Sequence, residues 1–262
     1  MINVFQKLIL KCDFKGEARS SYNWGSLMHG VLMETLPGQT VSWLHESKLR
    51  PFSQYVLPLT DNSLEWHIGI WEKEAGDAIA RTVMPLTNIQ LKHKNIELEV
   101  TEVTRNIQSE RDFVTHFFST DNPCRRYQLE FVTPCTHKSD GEYVLYPTPK
   151  LIIQSLHARF CAFAQDFSLD DEEMMMQLVE HTRLTRYSLR SALYHLESIK
   201  VNGYMGRITL SICGPEQLVR LTGMLLSFAE YAGIGIKTSL GMGGCRVTPM
   251  PGDRRQMNHE EG

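Results

Sequence analysis

The sequence predicts an α+β protein built from two tandem β-α-β-β-α-β units, and three observations lead to this prediction. Short segments alternate apolar and polar residues, as half-buried strands do. Longer segments repeat apolar residues at three- and four-residue steps, as helices do. The order strand, helix, strand, strand, helix, strand occurs twice, with the polar stretch 120–123 between the two sets. We therefore expect domains over 1–122 and 123–250.

The first set opens with an alternating strand over 4–10. A helix follows, because apolar residues from Trp24 to Leu36 recur at helical spacing and Pro37-Gly38 ends the pattern. The other elements of this set are strands over 55–59 and 64–71 with a turn at 61–63, a helix over 75–83 and a strand over 96–101.

The second set begins with an alternating strand over 127–131, and the clearest helix of the chain runs from Glu216 to Ala232 and stops at Gly233. Between them the pattern predicts a helix over 152–163, an inserted helix beginning at 168–173, and strands over 185–197 and 203–213 that meet at Asn202-Gly203. A last strand is expected over 245–248, and the polar tail 251–262 is predicted to be disordered. Each set has the element order of a ferredoxin-like domain, so the fold prediction is two ferredoxin-like domains in tandem.

Composition excludes several classes of protein. The 262 residues include 27 Lys and Arg against 30 Asp and Glu, so the formal charge of −3 excludes a uniformly cationic nucleic-acid coat protein. No apolar run reaches the roughly 18 residues of a membrane span and the N-terminus lacks a signal-peptide pattern, so we expect a cytoplasmic protein without a membrane partner. Six scattered cysteines without CxxC spacing predict reduced thiols and no zinc site. The acidic run 170–173 is better explained as the first turn of a helix than as a metal site.

A glycine-rich segment follows the last helix and is the sharpest feature of the sequence. Residues 233–244 contain five glycines. Glycine allows backbone N–H groups to turn toward an anion, and nearby lysine and hydroxyl side chains add donors, so phosphate is the expected ligand. The spacing fits neither a dinucleotide-binding GxGxxG nor a P-loop, since a helix precedes the segment and a strand should follow it. A helix stop and turn without any ligand is the remaining alternative.

Several stretches of the chain resemble the CRISPR-associated endoribonucleases that process repeat RNA. In the second half these stretches are 204–210, 213–215 and 230–244, and in the first half they are 28–34, 43–46 and 51–53. The first-half segments are similar to members that work with type III systems. The resemblance implies two ferredoxin-like domains, binding of CRISPR repeat RNA and its precursor transcript, and contacts to that RNA from the glycine-rich segment. The residues concerned are Gly233, Gly235, Lys237, Thr238, Ser239, Gly241, Gly243 and Gly244.

Cleavage of RNA needs few protein groups, because the 2′-hydroxyl beside each phosphate is a built-in nucleophile. Histidine can transfer the proton near neutral pH, and cationic side chains can stabilise the phosphate charge. The resemblance implies His45 as the catalytic histidine, in a polar turn after the first helix, with His29 on that helix as its partner. Lys48 would stabilise the phosphate, and Arg50 is an equally placed substitute. We expect 2′,3′-cyclic phosphate and 5′-hydroxyl ends, with neither a metal nor a cofactor.

Positive charge concentrates in the second unit. Residues 182–248 contain eight basic and three acidic residues, a net charge of +5. We expect Arg183, Arg186, Arg190 and Arg207 to contact RNA phosphates, although the spacing of the first three should not place them all on one strand face.

Two other functions stay open at this stage. One is a noncatalytic guide-RNA-binding subunit of a CRISPR effector complex, which the histidines near the first helix disfavour. The other is a small-molecule-binding ferredoxin-like protein, which would leave the glycine-rich segment and the basic second unit unexplained. For the favoured enzyme, a transient association with a type III effector complex is expected, and a homodimer is an alternative to a monomer.

Overall fold

A computed structural model describes residues 3–47, 49–169, 171–196 and 199–250. The α+β prediction is confirmed, since the described residues form two main antiparallel sheets with helices packed against them and one small two-stranded sheet. Lys48 and the tail 251–262 lie outside the described residues. Within the described part, none of the helices has the length and apolar character that crossing a bilayer requires.

The first unit is a ferredoxin-like sheet with one added edge strand. Its elements are β1 (Val4–Phe14), α1 (Gly25–Thr35), α2 (Gly38–Glu46), β2 (Phe52–Thr60), β3 (Ser63–Ile70), α3 (Lys73–Val83), β4 (Asn88–Leu91) and β5 (Ile96–Ser109). The strand order is β2-β3-β1-β5-β4, and every neighbouring pair is antiparallel. Without β4, this order is the one that two β-α-β crossovers of the same hand produce.

The second unit repeats this order after a connecting helix, α4 (Glu110–Ser119). Its elements are β6 (Arg126–Cys135), a small hairpin of β7 (His137–Ser139) and β8 (Glu142–Val144), α5 (Pro149–Phe163), α6 (Glu172–Glu180), β9 (Thr182–His195), β10 (Lys200–Ile212), α7 (Glu216–Ala232) and β11 (Cys245–Pro249). The main sheet has the order β11-β6-β10-β9. The two sheets span 4–109 and 126–249, and the domain boundary at 122 stays a prediction.

Helix α7 lies between the two sheets. One side of it packs in the core of the second unit, where Phe228 meets Phe160 of α5 with ring centroids 5.4 Å apart. The helix also contacts the first sheet, where the ring of Phe5 lies 5.6 Å from that of Phe228 and the Ser53 hydroxyl donates to the Tyr231 carbonyl. A helix with apolar residues around most of its circumference is buried on most sides, and this position buries it.

The structure corrects the predicted surroundings of His45. Pro37-Gly38 was interpreted as the end of helical structure before a polar turn, but a second helix, α2, begins at Gly38. Pro37 is its N-cap, and proline is well tolerated where a helix starts because no intrahelical partner awaits its missing N–H. His45 therefore lies in the last turn of a helix and is held at a defined position beside buried Leu44.

The predicted turn at Asn202-Gly203 is wrong. Both residues lie inside β10, paired with Leu193 and Ala192, and the hairpin turns between His195 and Lys200 instead. Glycine is required at 203 because a Cβ there would lie 2.8 Å from the Cys135 carbonyl oxygen on the next strand. The glycine that indicated a turn serves close strand packing.

Candidate active site

Residues of the first unit hold the glycine-rich loop of the second. Arg50, between α2 and β2, donates through Nη1 to the Ser239 hydroxyl at 3.0 Å. The amide of buried Gln54 donates both to the Ser239 carbonyl, at 3.0 Å, and to the Gly25 carbonyl at the start of α1, at 2.8 Å. The loop is thereby fixed against α1 and β2, on the side of the molecule where α2 ends.

This contact forms a cleft of about 570 Å³ between the two units. One wall comes from the end of α2 and the segment after it, and the other comes from the loop and from α5. The described lining residues are His45, Glu46, Ser47, Leu49, Arg50, Arg159, Ile236, Lys237, Thr238, Ser239 and Leu240. The predicted catalytic histidine and the central part of the predicted RNA-binding loop therefore share one cleft.

His45 is positioned by a neighbouring cation. Arg50 Nη2 lies 3.4 Å from His45 Nδ1, and a guanidinium can only donate, so Nδ1 is the acceptor and the neutral ring carries its proton on Nε2. Burial lowers the pKa of the Arg50 guanidinium, which remains the donor that fixes this tautomer. An imidazole with a defined tautomer beside a cation can both move a proton and sit close to a phosphate.

His29 lies behind this pair and is more enclosed. Its ring stacks on Phe52 with centroids 6.2 Å apart, and its Nδ1 is buried with no hydrogen-bond partner in the described structure. The pKa of His29 is lowered to about 4, chiefly by burial and next by the positive charge of Arg50, while a hydrogen bond with the Ser239 backbone opposes the shift. The His29 ring is therefore neutral near pH 7, and the one N–H that it keeps is a hydrogen-bond donor rather than a general acid.

The five glycines of the loop serve its internal packing. A Cβ on Gly235 would overlap the Thr136 carbonyl, and one on Gly243 would overlap the Ile234 carbonyl, while both residues have positive φ angles. The N–H groups of all five are already bonded within the protein, to Ala229 O, Ser155 Oγ, Thr238 O, Pro134 O and Thr133 Oγ1. The sequence predicts that these glycine N–H groups bind phosphate, but in the structure their hydrogen bonds go to other protein atoms. Gly233, Gly235, Gly241, Gly243 and Gly244 shape the loop, and Lys237, Thr238 and Ser239 line the cleft.

A register shift brings the predicted arginines onto one face of the second sheet. In the β9–β10 ladder Arg186 pairs with Thr209 and the next pair is Leu184 with Leu210, so Thr185 is an extra residue. Beyond this bulge Arg183 pairs with Ser211, and Arg190 pairs with Met205 on the other side. Residues 205, 207, 209 and 211 share a face, so all the arginines point to the helix-free side. The expectation of a split face is wrong because the spacing alone does not show the bulge.

The fourth arginine of this face is already neutralised in part. Arg207 donates through Nε and Nη2 to one carboxylate oxygen of Glu130 on β6, at 2.9 and 2.8 Å. Arg183, Arg186 and Arg190 are exposed and form no ion pair within the described structure. The three arginines of β9 therefore carry the free positive charge of this face.

Two cationic residues of the cleft were not among the predicted site residues. Arg50 was named only as a substitute for Lys48, which lies outside the described residues. Arg159 was missed, although it falls on the apolar face of its helix, at helical spacing from Ile152 and Leu156. A charged residue on a buried helix face is a signal that could have found it.

Comparison with known proteins identifies the family. The family model of the CRISPR-associated endoribonuclease Cas6 matches residues 129–245. A Cas6 endoribonuclease of Mycobacterium tuberculosis is 31% identical over 245 residues, which cover 93% of this chain and 77% of the relative. The chain belongs to the Cas6 family. A Cas6 endoribonuclease of Streptococcus thermophilus is 28% identical over 84% of this chain and 89% of its own.

Solved Cas6 structures share the fold. The structure of a Cas6 product complex superposes with a TM-score of 0.76 at 21% identity and covers 94% of this chain and 99% of its own. The predicted pair of ferredoxin-like domains and the predicted CRISPR endoribonuclease family are thus both confirmed. Membership in the Cas6 family supports an endoribonuclease activity and the processing of CRISPR repeat RNA. The assignment to type III systems stays a prediction.

Proposed function

We propose that this Cas6 family member cleaves CRISPR repeat RNA without a metal ion, by attack of the 2′-hydroxyl on the adjacent phosphate. A bond forms between the 2′-oxygen and the phosphorus while the bond between the phosphorus and the 5′-oxygen breaks. The 2′-hydroxyl loses its proton and the departing 5′-oxygen gains one. The products are then a 2′,3′-cyclic phosphate and a 5′-hydroxyl.

The observation that carries the proposal is the shared cleft. His45 from α2 and the loop residues Lys237 to Ser239 line it from opposite units, with Arg50 bonded to both His45 and Ser239. His45 is the group that transfers a proton, and Arg50 stabilises the charge that develops on the scissile phosphate. His29 is neutral and packs on Phe52 beside this cleft rather than acting as an acid. A role for Lys48 stays a prediction.

RNA affinity comes in this proposal from the second unit. The exposed guanidinium groups of Arg183, Arg186 and Arg190 offer a cationic face to the phosphate backbone, and Arg207 contributes less because Glu130 already neutralises it. Base identity is not read by such contacts, since phosphate contacts position the strand. The glycines act through the shape of the loop that they allow.

The test is cleavage of the repeat RNA of the protein's own CRISPR array in EDTA, with the ends of the products mapped. We expect a 3′ product end that resists polyadenylation until the cyclic phosphate is removed, and a 5′ end that a polynucleotide kinase can label. A single 2′-deoxy substitution at the cleaved nucleotide should abolish cleavage while binding persists. Cleavage that requires added magnesium, or that survives the 2′-deoxy substitution, would contradict the mechanism.

The noncatalytic alternative gives a different result in the same experiment. A guide-RNA-binding subunit would retain the repeat RNA uncut in every buffer. A transient association with a type III effector complex, or formation of a homodimer, would change the later transfer of the cleaved RNA. Neither would change the cleavage in EDTA or the chemistry of the product ends.

A further inference from the structure

Arg159 is a buried cation that no carboxylate neutralises within the described residues. It projects from the apolar face of α5 and is 9% exposed. Its Nη1 donates to the carbonyl and hydroxyl oxygens of Ser155, and its Nη2 donates to the Gly235 carbonyl. All three acceptors are neutral oxygens. A buried charge without a counter-charge is costly, so this residue is expected to have a use beyond packing.

The guanidinium also lines the cleft that holds His45. It shares that wall with Lys237, while Arg50 occupies the other wall, and Glu46 is the one carboxylate among the described lining residues. Burial lowers the pKa of Arg159 to about 10, so the side chain stays charged at neutral pH. The cleft therefore has two separate sources of positive charge, Arg50 on one wall and the pair of Arg159 and Lys237 on the other.

The two sources serve different positions. Arg50 contacts His45 and Ser239, so it belongs with the group that moves the proton. Arg159 is held at the other end of the loop, on Gly235, and is not bonded to His45. RNA carries one negative charge per nucleotide, so a strand that places its scissile phosphate beside His45 must place a neighbouring phosphate elsewhere along the cleft.

We propose that Arg159, together with Lys237, binds the phosphate next to the scissile one and so seats the RNA strand against the glycine-rich loop. The inference rests on the proposed function and adds a second phosphate subsite to it. Arginine suits this task because its planar group can keep the Gly235 carbonyl as one acceptor and offer its remaining N–H groups to a phosphate oxygen.

The test removes one phosphate charge at a time. Repeat RNAs that each carry a single methylphosphonate, which is uncharged, are cut under single-turnover conditions by the wild type and by Arg159→Gln. In the wild type, a methylphosphonate beside the scissile position should slow cleavage at least about tenfold. Arg159→Gln should cut unmodified RNA more slowly by a similar factor and should show little further loss at that one position.

A purely structural role for Arg159 gives a different result. Arg159→Gln would then slow cleavage of all the RNAs by the same factor, and each methylphosphonate would slow the variant as much as it slows the wild type. That outcome would overturn the inference. Ser155→Ala is the matched control, since it weakens the support of Gly235 and keeps the Arg159 charge. This variant should retain the wild-type pattern.

Misfolding of Arg159→Gln and inactivity of the wild type have distinct consequences for the inference. If Arg159→Gln does not fold by circular dichroism, Arg159→Lys takes its place. A lysine ammonium lacks the planar fork that joins Ser155 to Gly235, so its penalty at the neighbouring phosphate should differ at least about threefold from the wild-type penalty, and an unchanged penalty refutes the subsite. If the wild type fails to cut unmodified repeat RNA, the proposed function itself is refuted. If it cuts, but the Arg159 substitution does not change the effect of a methylphosphonate at the neighbouring phosphate, only this inference is refuted.

Discussion

The two ferredoxin-like units have the same strand order but use the helix-free face of the sheet in opposite ways. The first unit buries part of that face against α7, through Phe5 and Ser53. The second leaves its face exposed and lines it with arginines from β9. One architecture thus supplies a fixed frame for His45 in the first unit and a charged surface in the second. The comparison predicts that changes at His45 in the first unit affect the rate of cleavage, whereas changes on the exposed arginine face of the second unit affect RNA affinity.

The largest expected effect is on the rate, from His45→Ala. Removing the group that transfers the proton should lower the single-turnover cleavage rate by roughly 10²- to 10⁴-fold and leave the affinity for repeat RNA nearly unchanged. His116→Ala is the matched control, because His116 is exposed on α4 away from the cleft lining. A His45→Ala protein with the wild-type rate, or with a rate loss explained by weaker binding, would break the division between the units.

The next effect concerns the junction between the units and is a loss of stability. The Glu110 carboxylate, at the start of α4, is fully buried and accepts the backbone N–H groups of Gln165, Asp166 and Phe167 as well as the Asn3 amide. Glu110→Gln should lower the free energy of unfolding by about 2–3 kcal/mol, because an amide cannot satisfy those donors as a carboxylate does. Urea unfolding measures it, with exposed Glu142→Gln as a control that should change little. An unchanged midpoint for Glu110→Gln would mean that this contact does not tie the units together.

A third prediction concerns pH and applies to both units. Burial lowers the pKa of His29 in the first unit, and of His137 in the second, to about 4. In the unfolded chain each ring titrates near 6.5, so between pH 6.5 and 4 the unfolded state binds more protons and stability falls as the pH is lowered. Each histidine should contribute up to about 1.4 kcal/mol per pH unit in that range. His29→Gln and His137→Gln should each flatten the pH dependence of unfolding, and an unaltered slope would contradict the burial.

The smallest expected effect is on affinity, from single arginines of β9. Arg186→Ala should weaken binding of an uncleavable 2′-deoxy repeat RNA several-fold and reduce the slope of log affinity against log salt by about 0.7, the value for one phosphate contact to a single strand. The cleavage rate at saturating RNA should not change. Arg111→Ala, an exposed arginine on α4, is the matched control. If log affinity falls with log salt at the same slope for both variants, the exposed face of the second unit does not contact the RNA.

Much of the fold could be predicted because many elements bury one face and have a regular period. The helix over 216–232 is where the pattern predicts it, and the strand predicted over 96–101 begins at Ile96 but continues to Ser109. Helix α2 was missed because only Leu44 is buried in it, so it has no apolar stripe to recognise. Strand β4 is a four-residue edge strand, too short for a period to show.

The site was predictable only where chemistry marks a residue. His45 and Lys237 were found through residue type and family resemblance, and the structure places both in the cleft. The support of the loop by Gln54 could not be predicted, because its side-chain amide donates to carbonyl groups that lie 29 and 185 residues away along the chain. The single-residue bulge at Thr185, which aligns the arginines, has no signature in spacing.

Helix α7 has a practical consequence for engineering. Because this helix packs in the core of the second unit and also contacts the first sheet, exchanging the amino-terminal half alone between relatives would set a foreign sheet against Phe228 and Tyr231. A recombinant hybrid should therefore transplant this helix together with the strands that rest on it, or carry compensating changes at Phe5 and Gly69, where the fit to the Tyr231 backbone leaves no room for a methyl group. Grafting the outer arginine-bearing hairpin, which α7 leaves uncovered, should transfer RNA affinity between family members but not sequence preference, because phosphate contacts carry no base identity.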